Sequence, residues 1–346
     1  MIHLLKETAQ LLDNGENIVV VTLFDKTGSA PRTVGAKMIV RSDGSIYGTI
    51  GGGLLEAQAM QLAQEAFRRR APLLKSFDLT GEDVASMDMI CGGTGELLID
   101  YIEASESNRM VYGEAWAAET KREKAWLITA LSTGNDRQQC LVKQNGELVG
   151  VFYCEADLRN EIVRGPGKLS IHAEVLEGQR YLIEAVRPQK TVYIFGAGHV
   201  SQKIAALSAT VGFRTVVIDD RQEYANKGRF PDASEIVLIP SFRELLCQGI
   251  DEDSFLVIVT RGHLHDKTVL EQCLKTKAAY IGMIGSRRKR DKIFAALFEQ
   301  GFTAADLKRV YSPIGTDILA ETPEELAVSI VGELIRVRAE TERCIV

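Results

Sequence analysis

The stretch that most constrains this chain runs from Thr191 to Arg221, TVYIFGAGHVSQKIAALSATVGFRTVVIDDR. Val192 to Phe195 is an apolar run of strand length, and Gly196-Ala197-Gly198 turns the chain sharply after it. Val200, Ile204, Leu207 and Val211 then recur at helical spacing, and a second run, Thr215 to Ile218, ends in Asp219-Asp220. Strand, glycine turn, helix, strand and acid is the order of a dinucleotide-binding βαβ unit. In such a unit Gly196 permits the tight turn and Gly198 lets a phosphate approach the backbone. The helix start at His199 offers unpaired N–H groups to an anion. Asp219, 21 residues after Gly198, stands where a ribose-binding acid is expected. Ser201 replaces the third glycine of the pattern and is still small enough for close helix–strand packing. The alternative for this segment is a Rossmann-like scaffold that binds no nucleotide, since a fold does not carry a function by itself.

The rest of the carboxyl-terminal half extends the same pattern. Strands are predicted at Ile236 to Ile239, Phe255 to Val259 and Tyr280 to Ile284. If they are parallel, the loops at Gly196, Asp219, Thr260 and Gly285 all emerge at the carboxyl edge of one sheet, where doubly wound sheets bind ligands. Ser286 is a helix N-cap by type, which sets Arg287 and Arg288 beside a helix N-terminus. Cations there lose about 0.3–1 kcal/mol each to the helix dipole, a loss that a bound anion offsets. The alternative is a solvated basic face. His263-Leu-His265-Asp266 approaches metal-ligand spacing, but further ligands are absent and no metal is expected. Thr322-Pro-Glu-Glu325 is a capping box that starts a helix carrying Leu326, Ile330, Leu334 and Val337 on one face.

The amino-terminal half alternates differently. A short helix over Leu4 to Leu12 precedes a strand from Ile18 to Phe24, and Thr27 to Gly35 reads as a loop. Lys37 to Arg41 and Ser45 to Thr49 flank an Asp-Gly turn as a hairpin. Gly51-Gly52-Gly53 then leads into a helix that carries Glu56 in its first turn and runs to Arg70; this is a second candidate anion cradle, or else a crowded strand-to-helix turn. Ser86 to Gly95 is a glycine-rich loop with Cys91 directly before Gly92-Gly93, where exposed amides lower a thiol pKa. A buried structural cysteine is the competing reading. Beyond it come a strand to Ile102, a helix from Tyr112 to about Arg122, a strand from Trp126 to Ala130 and a hairpin across Asn145-Gly146. Strands at Leu169 to Leu176 and Arg180 to Val186 lead to a linker, Arg187 to Lys190.

The fold expected is therefore α/β, a C-terminal Rossmann-like doubly wound parallel sheet (191–346) preceded by a mixed α+β N-terminal domain (1–187). The net charge of −6, from 41 cations against 47 anions, argues against broad binding to nucleic acid. No apolar stretch approaches the roughly 20 residues of a membrane span. The six cysteines form no C-x-x-C pair, which suits reduced thiols in a cytoplasmic protein.

Taken together, the motifs resemble those of the XdhC/CoxI family, the xanthine dehydrogenase accessory proteins. They are GSAPRTVGAKMIV (28–40), GTIGGGLLEAQAM (48–60), ICGG (90–93), FGAGHV (195–200), FRTVVIDDR (213–221), RFPDASE (229–235), IGMIGSRRKRDKI (281–293), SPIGTDI (312–318) and TPEELAVSIVGELI (322–335). The resemblance spans both halves in the family's order and leaves mainly residues 105–190 unmatched. It implies a chaperone rather than a turnover enzyme, one that binds molybdenum cofactor, supports its sulfuration and hands it to a xanthine dehydrogenase-type apoenzyme. A cysteine desulfurase is the second implied partner, and a homodimer is the common oligomer. Candidate cofactor-binding residues are Arg32, Gly51, Gly52, Gly53, Glu56, Gly196, Gly198, His199, Asp219, Ser286, Arg287 and Arg288, with Cys91 as a metal ligand or sulfur relay. Two departures stand out: Ser201-Gln202 where glycine usually follows GAGHV, and Leu54 where some members carry a cysteine. The rival expectation is an NAD(P)-dependent oxidoreductase, for which His199 and His263 are the histidines near the loops.

Overall fold

The structure is a computed structural model that describes residues 4–28, 34–78, 93–131, 137–152, 172–176, 179–186, 188–244, 249–261 and 263–343. The chain forms two compact units that divide between Pro188 and Gln189.

The amino-terminal unit contains α1 (Leu4–Asp13), β1 (Ile18–Gly28), β2 (Lys37–Arg41), β3 (Ile46–Gly48), α2 (Gly53–Arg69), β4 (Leu73–Asp78) and β5 (Gly93–Ile102). It continues with α3 (Glu106–Lys121), β6 (Ala125–Ala130), β7 (Gln139–Lys143), β8 (Leu148–Val151), β9 (His172–Leu176) and β10 (Gln179–Val186). These strands make two five-stranded antiparallel sheets, ordered β3-β2-β1-β5-β4 and β8-β7-β6-β10-β9. Side chains alternate along β1: Val19, Val21 and Leu23 pack with Ala59 and Ala63 of α2, whereas Ile18 and Val20 pack with α1 and α3. Burial on both faces explains why β1 reads as one continuous apolar run. A buried polar network ties β5 to β7: Arg137 donates to both oxygens of Asp100 at 2.6 and 2.8 Å and also to Gln139 and Asn108. The paired carboxylate outweighs burial and holds the Arg137 guanidinium fully protonated.

The carboxyl-terminal unit contains β11 (Thr191–Phe195), α4 (His199–Thr210), β12 (Arg214–Asp219), β13 (Glu235–Leu238), β14 (Ser254–Ile258) and α5 (His263–Cys273). After these come β15 (Tyr280–Met283), α6 (Arg287–Glu299), α7 (Ala304–Lys308), β16 (Val310–Tyr311) and α8 (Pro323–Arg343). Its sheet has six strands in the order β13-β12-β11-β14-β15-β16, with every neighbouring pair parallel. Helices cover both faces. α4 and α8 supply Ile204, Ile330 and Leu334 to one core, and α5 and α6 supply Val269, Leu270, Ile293 and Leu297 to the other. The predicted capping box opens α8, with Glu325 accepting from Thr322 N at 3.0 Å and Thr322 accepting from Glu325 N at 3.2 Å. Further along, Glu333 accepts from the Tyr280 hydroxyl at 2.7 Å and from Gly315 N at 2.9 Å. The predicted α/β class, a doubly wound parallel sheet after an α+β half, is the observed one.

Several elements differ from the sequence expectation: β1 runs to Gly28 rather than Phe24, and α7 and β16 were not predicted. β4 has no clear apolar period and owes its strand form to pairing with β5. α3 begins at Glu106 rather than Tyr112 because Ser105 caps it, accepting from Asn108 N at 3.3 Å. His263 to Asp266 is the first turn of α5 rather than a loop.

Because Asp100 and Arg137 are both buried, removing one partner strands the other charge. Asp100→Ala is expected to destabilise the protein by about 3–5 kcal/mol in denaturant titration. The double replacement Asp100→Leu with Arg137→Met is expected to recover most of that loss.

Candidate functional site

Strand order reverses between β11 and β14, and the predicted loops meet at the carboxyl ends of these strands. Gly196 has φ +107, and a Cβ there would lie 2.5 Å from Val259 O and 2.9 Å from Thr260 Cα. Only glycine lets β11 and β14 pinch together at this point. Gly198, the N-cap of α4, makes no side-chain cap, and an added Cβ would meet nothing within 4 Å. The space before the helix start is open. His199 is exposed on the first turn, and Ser201 is fully buried, in keeping with its role as a small packing residue.

Asp219 lies at the end of β12, as the pattern requires, but it faces its own loop. It is 1% exposed; Oδ2 accepts from Ala197 N at 2.8 Å and Oδ1 from Arg221 N at 3.0 Å. The Arg221 guanidinium closes on both oxygens, at 3.1 and 3.3 Å. Burial alone would raise the carboxyl pKa, but the bonds from Arg221 and Ala197 outweigh it and hold it below the ordinary aspartate value. The acid expected to meet a ribose is therefore a strut of the glycine turn.

A second buried carboxylate, Asp266, stands across the switch. Its Oδ1 accepts from Thr260 N at 3.2 Å and from the Thr260 hydroxyl at 2.6 Å, and its Oδ2 takes the Lys289 ammonium. Lys289 also donates to Ile284 O at 3.0 Å, and its stem lies over Gly285, where a Cβ would meet Lys289 Cδ at 2.5 Å. Ser286 caps α6, accepting from Lys289 N at 3.3 Å. Gly196, Thr260, Asp266, Lys289 and Ser286 thus form one chain of contacts along the edge. Sequence reasoning missed Asp266 and Lys289. Asp266 sat within a possible metal pattern, and Lys289 was hidden in the basic run Arg287 to Arg290. The one readable signal was an acid six residues after a threonine at a strand end. Arg287 and Arg288 are exposed and have no ion-pair partner among the described residues. His265 packs on Phe242, ring centroids 5.4 Å apart, and among the described residues no three His, Cys, Asp or Glu side chains gather as a metal site.

In the amino-terminal unit the triple glycine does form an amide cradle, with φ +138, +80 and +62 at Gly51, Gly52 and Gly53. The cradle is filled from within. Glu56 Oε1 accepts from Ile50 N at 3.0 Å, Gly51 N at 3.3 Å, Gly52 N at 2.9 Å and the Thr49 hydroxyl. Against the effect of burial, these donors hold its carboxyl below the ordinary glutamate value. An external anion reaches these amides only by displacing Glu56, which corrects the expectation of an open phosphate cradle. Arg32 and Cys91 lie outside the described residues. The strands that lead toward them, β1 and β5, pair through Gly28 and Gly93. A cavity of about 380 Å³ opens beside that end of the sheet, lined by Asp25, Thr27, Ser76, Phe77, Thr94 and Glu96 among others.

Glu56→Ala is expected to cost about 1–2 kcal/mol by stranding three amides. Inorganic phosphate should raise the melting temperature of that variant by more than it raises that of the parent. The stability contributed by Asp219 is present above about pH 4 and is lost as pH falls through its lower folded value. Asp219→Asn removes that contribution, so its stability should change less than the parent's between about pH 5 and about pH 3, as denaturant midpoints will measure.

Comparison with known proteins agrees with this arrangement. The family model described as the XdhC Rossmann domain matches residues 192–334, and that described as the XdhC and CoxI family matches residues 11–78. The chain is 27% identical to a probable xanthine dehydrogenase subunit of Bacillus subtilis, over 95% of both chains. It is 22% identical to the molybdenum cofactor insertion chaperone PaoD of Escherichia coli, covering 98% of this chain and 89% of that one. A crystal structure of a xanthine dehydrogenase from Bacillus halodurans superposes with a TM-score of 0.79 at 26% identity, covering 98% of this chain and 96% of that one. With one model matched in each half and a structural counterpart spanning both, the chain belongs to the XdhC and CoxI family.

Proposed function

We propose that this chain is an accessory protein of a molybdenum hydroxylase, which binds molybdenum cofactor, supports its sulfuration and inserts it into a xanthine dehydrogenase-type apoenzyme. The observation that carries this reading is the carboxyl edge of the parallel sheet. There a helix start with no side-chain cap, beside the open Gly198, and two arginines without an ion-pair partner among the described residues, Arg287 and Arg288, stand on the same rim. An anionic pterin phosphate suits that set: amides at the start of α4 receive its oxygens, and the guanidinium groups balance its charge. When bound, the cofactor supplies a molybdenum–dithiolene centre to the client, not to this chain. Membership of the XdhC and CoxI family, and the likeness to a protein named a molybdenum cofactor insertion chaperone, support the accessory role. Cys91 is the proposed metal ligand or sulfur relay, Arg32 a further cofactor contact, a cysteine desulfurase the sulfur source, and a homodimer the working form. No described helix is long and apolar enough to cross a membrane.

The strand order and glycine turn also favour a second reading, an NAD(P)-dependent oxidoreductase. It needs an acid–base group oriented beside the ligand. His199 has no orienting carboxylate among the described residues, and the side chain of His263 lies outside those described.

The test is to purify the chain under anaerobic conditions alongside a source of the cofactor and to measure released pterin by fluorescence. The expected result is pterin well above that from an unrelated Rossmann protein; an equal amount overturns the proposal. Cys91→Ala is expected to impair reconstitution of a partner apoenzyme without lowering the melting temperature. Undiminished reconstitution would return Cys91 to a structural role.

A further inference from the structure

The chain between β16 and α8 is fastened to α8 at two places. Thr316 N donates to Ser329 O at 3.2 Å, and the Ser329 hydroxyl donates back to Thr316 O at 2.6 Å. Gly315 admits this approach, since a Cβ there would lie 2.4 Å from Ser329 Oγ. Further on, the amides of Glu321 and Thr322 donate to Glu325 at 2.8 and 3.0 Å. Residues 317–320 arch between these anchors. Leu319 stands on the arch, 88% exposed and with φ +58. Left-handed backbone is unfavourable for a bulky side chain and persists only where the surroundings impose it, as both anchors do here. Ile318 is exposed beside it, and Val328 is exposed on the turn of α8 between the two anchor residues. Gly332 and Ile335 continue that face, and a Cβ added at Gly332 would meet nothing within 4 Å.

The charge around this patch has one sign. From Pro313 to Ile335 the sequence has five carboxylates and no lysine or arginine. Asp317 and Glu321, on either side of Leu319, are exposed, and their carboxylates have no partner among the described residues. An apolar knob edged by acid suits a protein surface with an apolar recess edged by lysine or arginine. A two-fold contact between copies would instead set these carboxylates against themselves. The arch follows the carboxyl end of β16, where Arg290, two residues after Arg288, donates to Ser312 O at 3.2 Å. We propose that residues 317–320 and Val328 form the docking surface for the client apoenzyme, with Leu319 as the inserted side chain. This rests on the accessory role, and it sets the contact beside the rim proposed for the cofactor.

The test is surface plasmon resonance of the full-length chain against a xanthine dehydrogenase-type apoenzyme prepared without its molybdenum cofactor. Leu319→Gly removes the knob and suits the left-handed backbone, so it is expected to melt no lower than the parent. It is nevertheless expected to bind the apoenzyme at least about tenfold more weakly. Asp317→Lys combined with Glu321→Lys is expected to slow association and to abolish its decline with salt. Those two side chains are exposed and unpaired, so the acid variant carries the test even if Leu319→Gly melts early. Leu238→Ser, at an exposed leucine on the far edge strand β13, is expected to bind as the parent does. Unchanged affinity in folded Leu319→Gly, an undiminished association rate in the acid variant, or an equal loss in Leu238→Ser overturns the inference. So does a change in the chain's own sedimentation in Leu319→Gly, which marks a contact between copies. Pterin is measured in the same preparations. A parent that retains pterin but fails these comparisons removes this inference alone, whereas a parent that neither retains pterin nor binds the apoenzyme removes the accessory reading as well.

Discussion

At the switch between β11 and β14 two buried carboxylates, Asp219 and Asp266, take the amides of Ala197 and Thr260. Parallel strands buried on both faces end in loops whose first N–H groups have left the ladder but have not reached water. Such groups need an acceptor, and a carboxylate is a strong one. Burying a carboxylate is itself unfavourable unless a cation accompanies it, and each of these has one: Arg221 for Asp219 and Lys289 for Asp266. Amide, acid and base form a short series on either side of the switch. The position of Gly198, the cap at Ser286 and the two outward arginines all depend on it.

The amino-terminal unit uses the same chemistry with a different balance. Glu56 gathers three amides and a hydroxyl at the head of α2, but it is only partly buried and no cation answers it among the described residues. That arrangement resembles a reversible stopper more than a strut. Asp100 and Arg137 show the opposite extreme, a pair enclosed between elements of both sheets and bonded onward to Asn108, Gln139 and Thr129. The glycine motifs of the two halves look alike on paper. They differ in what their amides hold: Gly51 and Gly52 are answered by one glutamate, whereas Gly198 faces open space.

Much of the architecture was legible because its signals are local. The run from Thr191 to Arg221 carries strand period, glycine turn, helical spacing and acid within a single segment, and the parallel sheet follows from it. The Thr322 capping box and the Ser286 cap were likewise readable, since a cap joins residues three apart. The partners of the acids were not. Asp219 reaches back 22 residues to Ala197, and Lys289 reaches 23 residues to Asp266; no spacing rule announces such contacts. The strand-end acid Asp219 stands where the pattern puts it, but its partners were not readable, because position in the pattern does not determine which donors surround a side chain. β4 escaped notice for a related reason: its pairing with β5 decides its form, and that pairing is non-local.

The buried acid of the last helix has a practical corollary. Glu333 is buried, and it accepts from the Tyr280 hydroxyl in β15 and from Gly315 N. A fragment cut at Thr322 would leave both donors unanswered and expose the apolar flank of α4. The smallest independently useful piece of this half must therefore retain its final helix, which serves as an inner wall of the unit rather than as a tail.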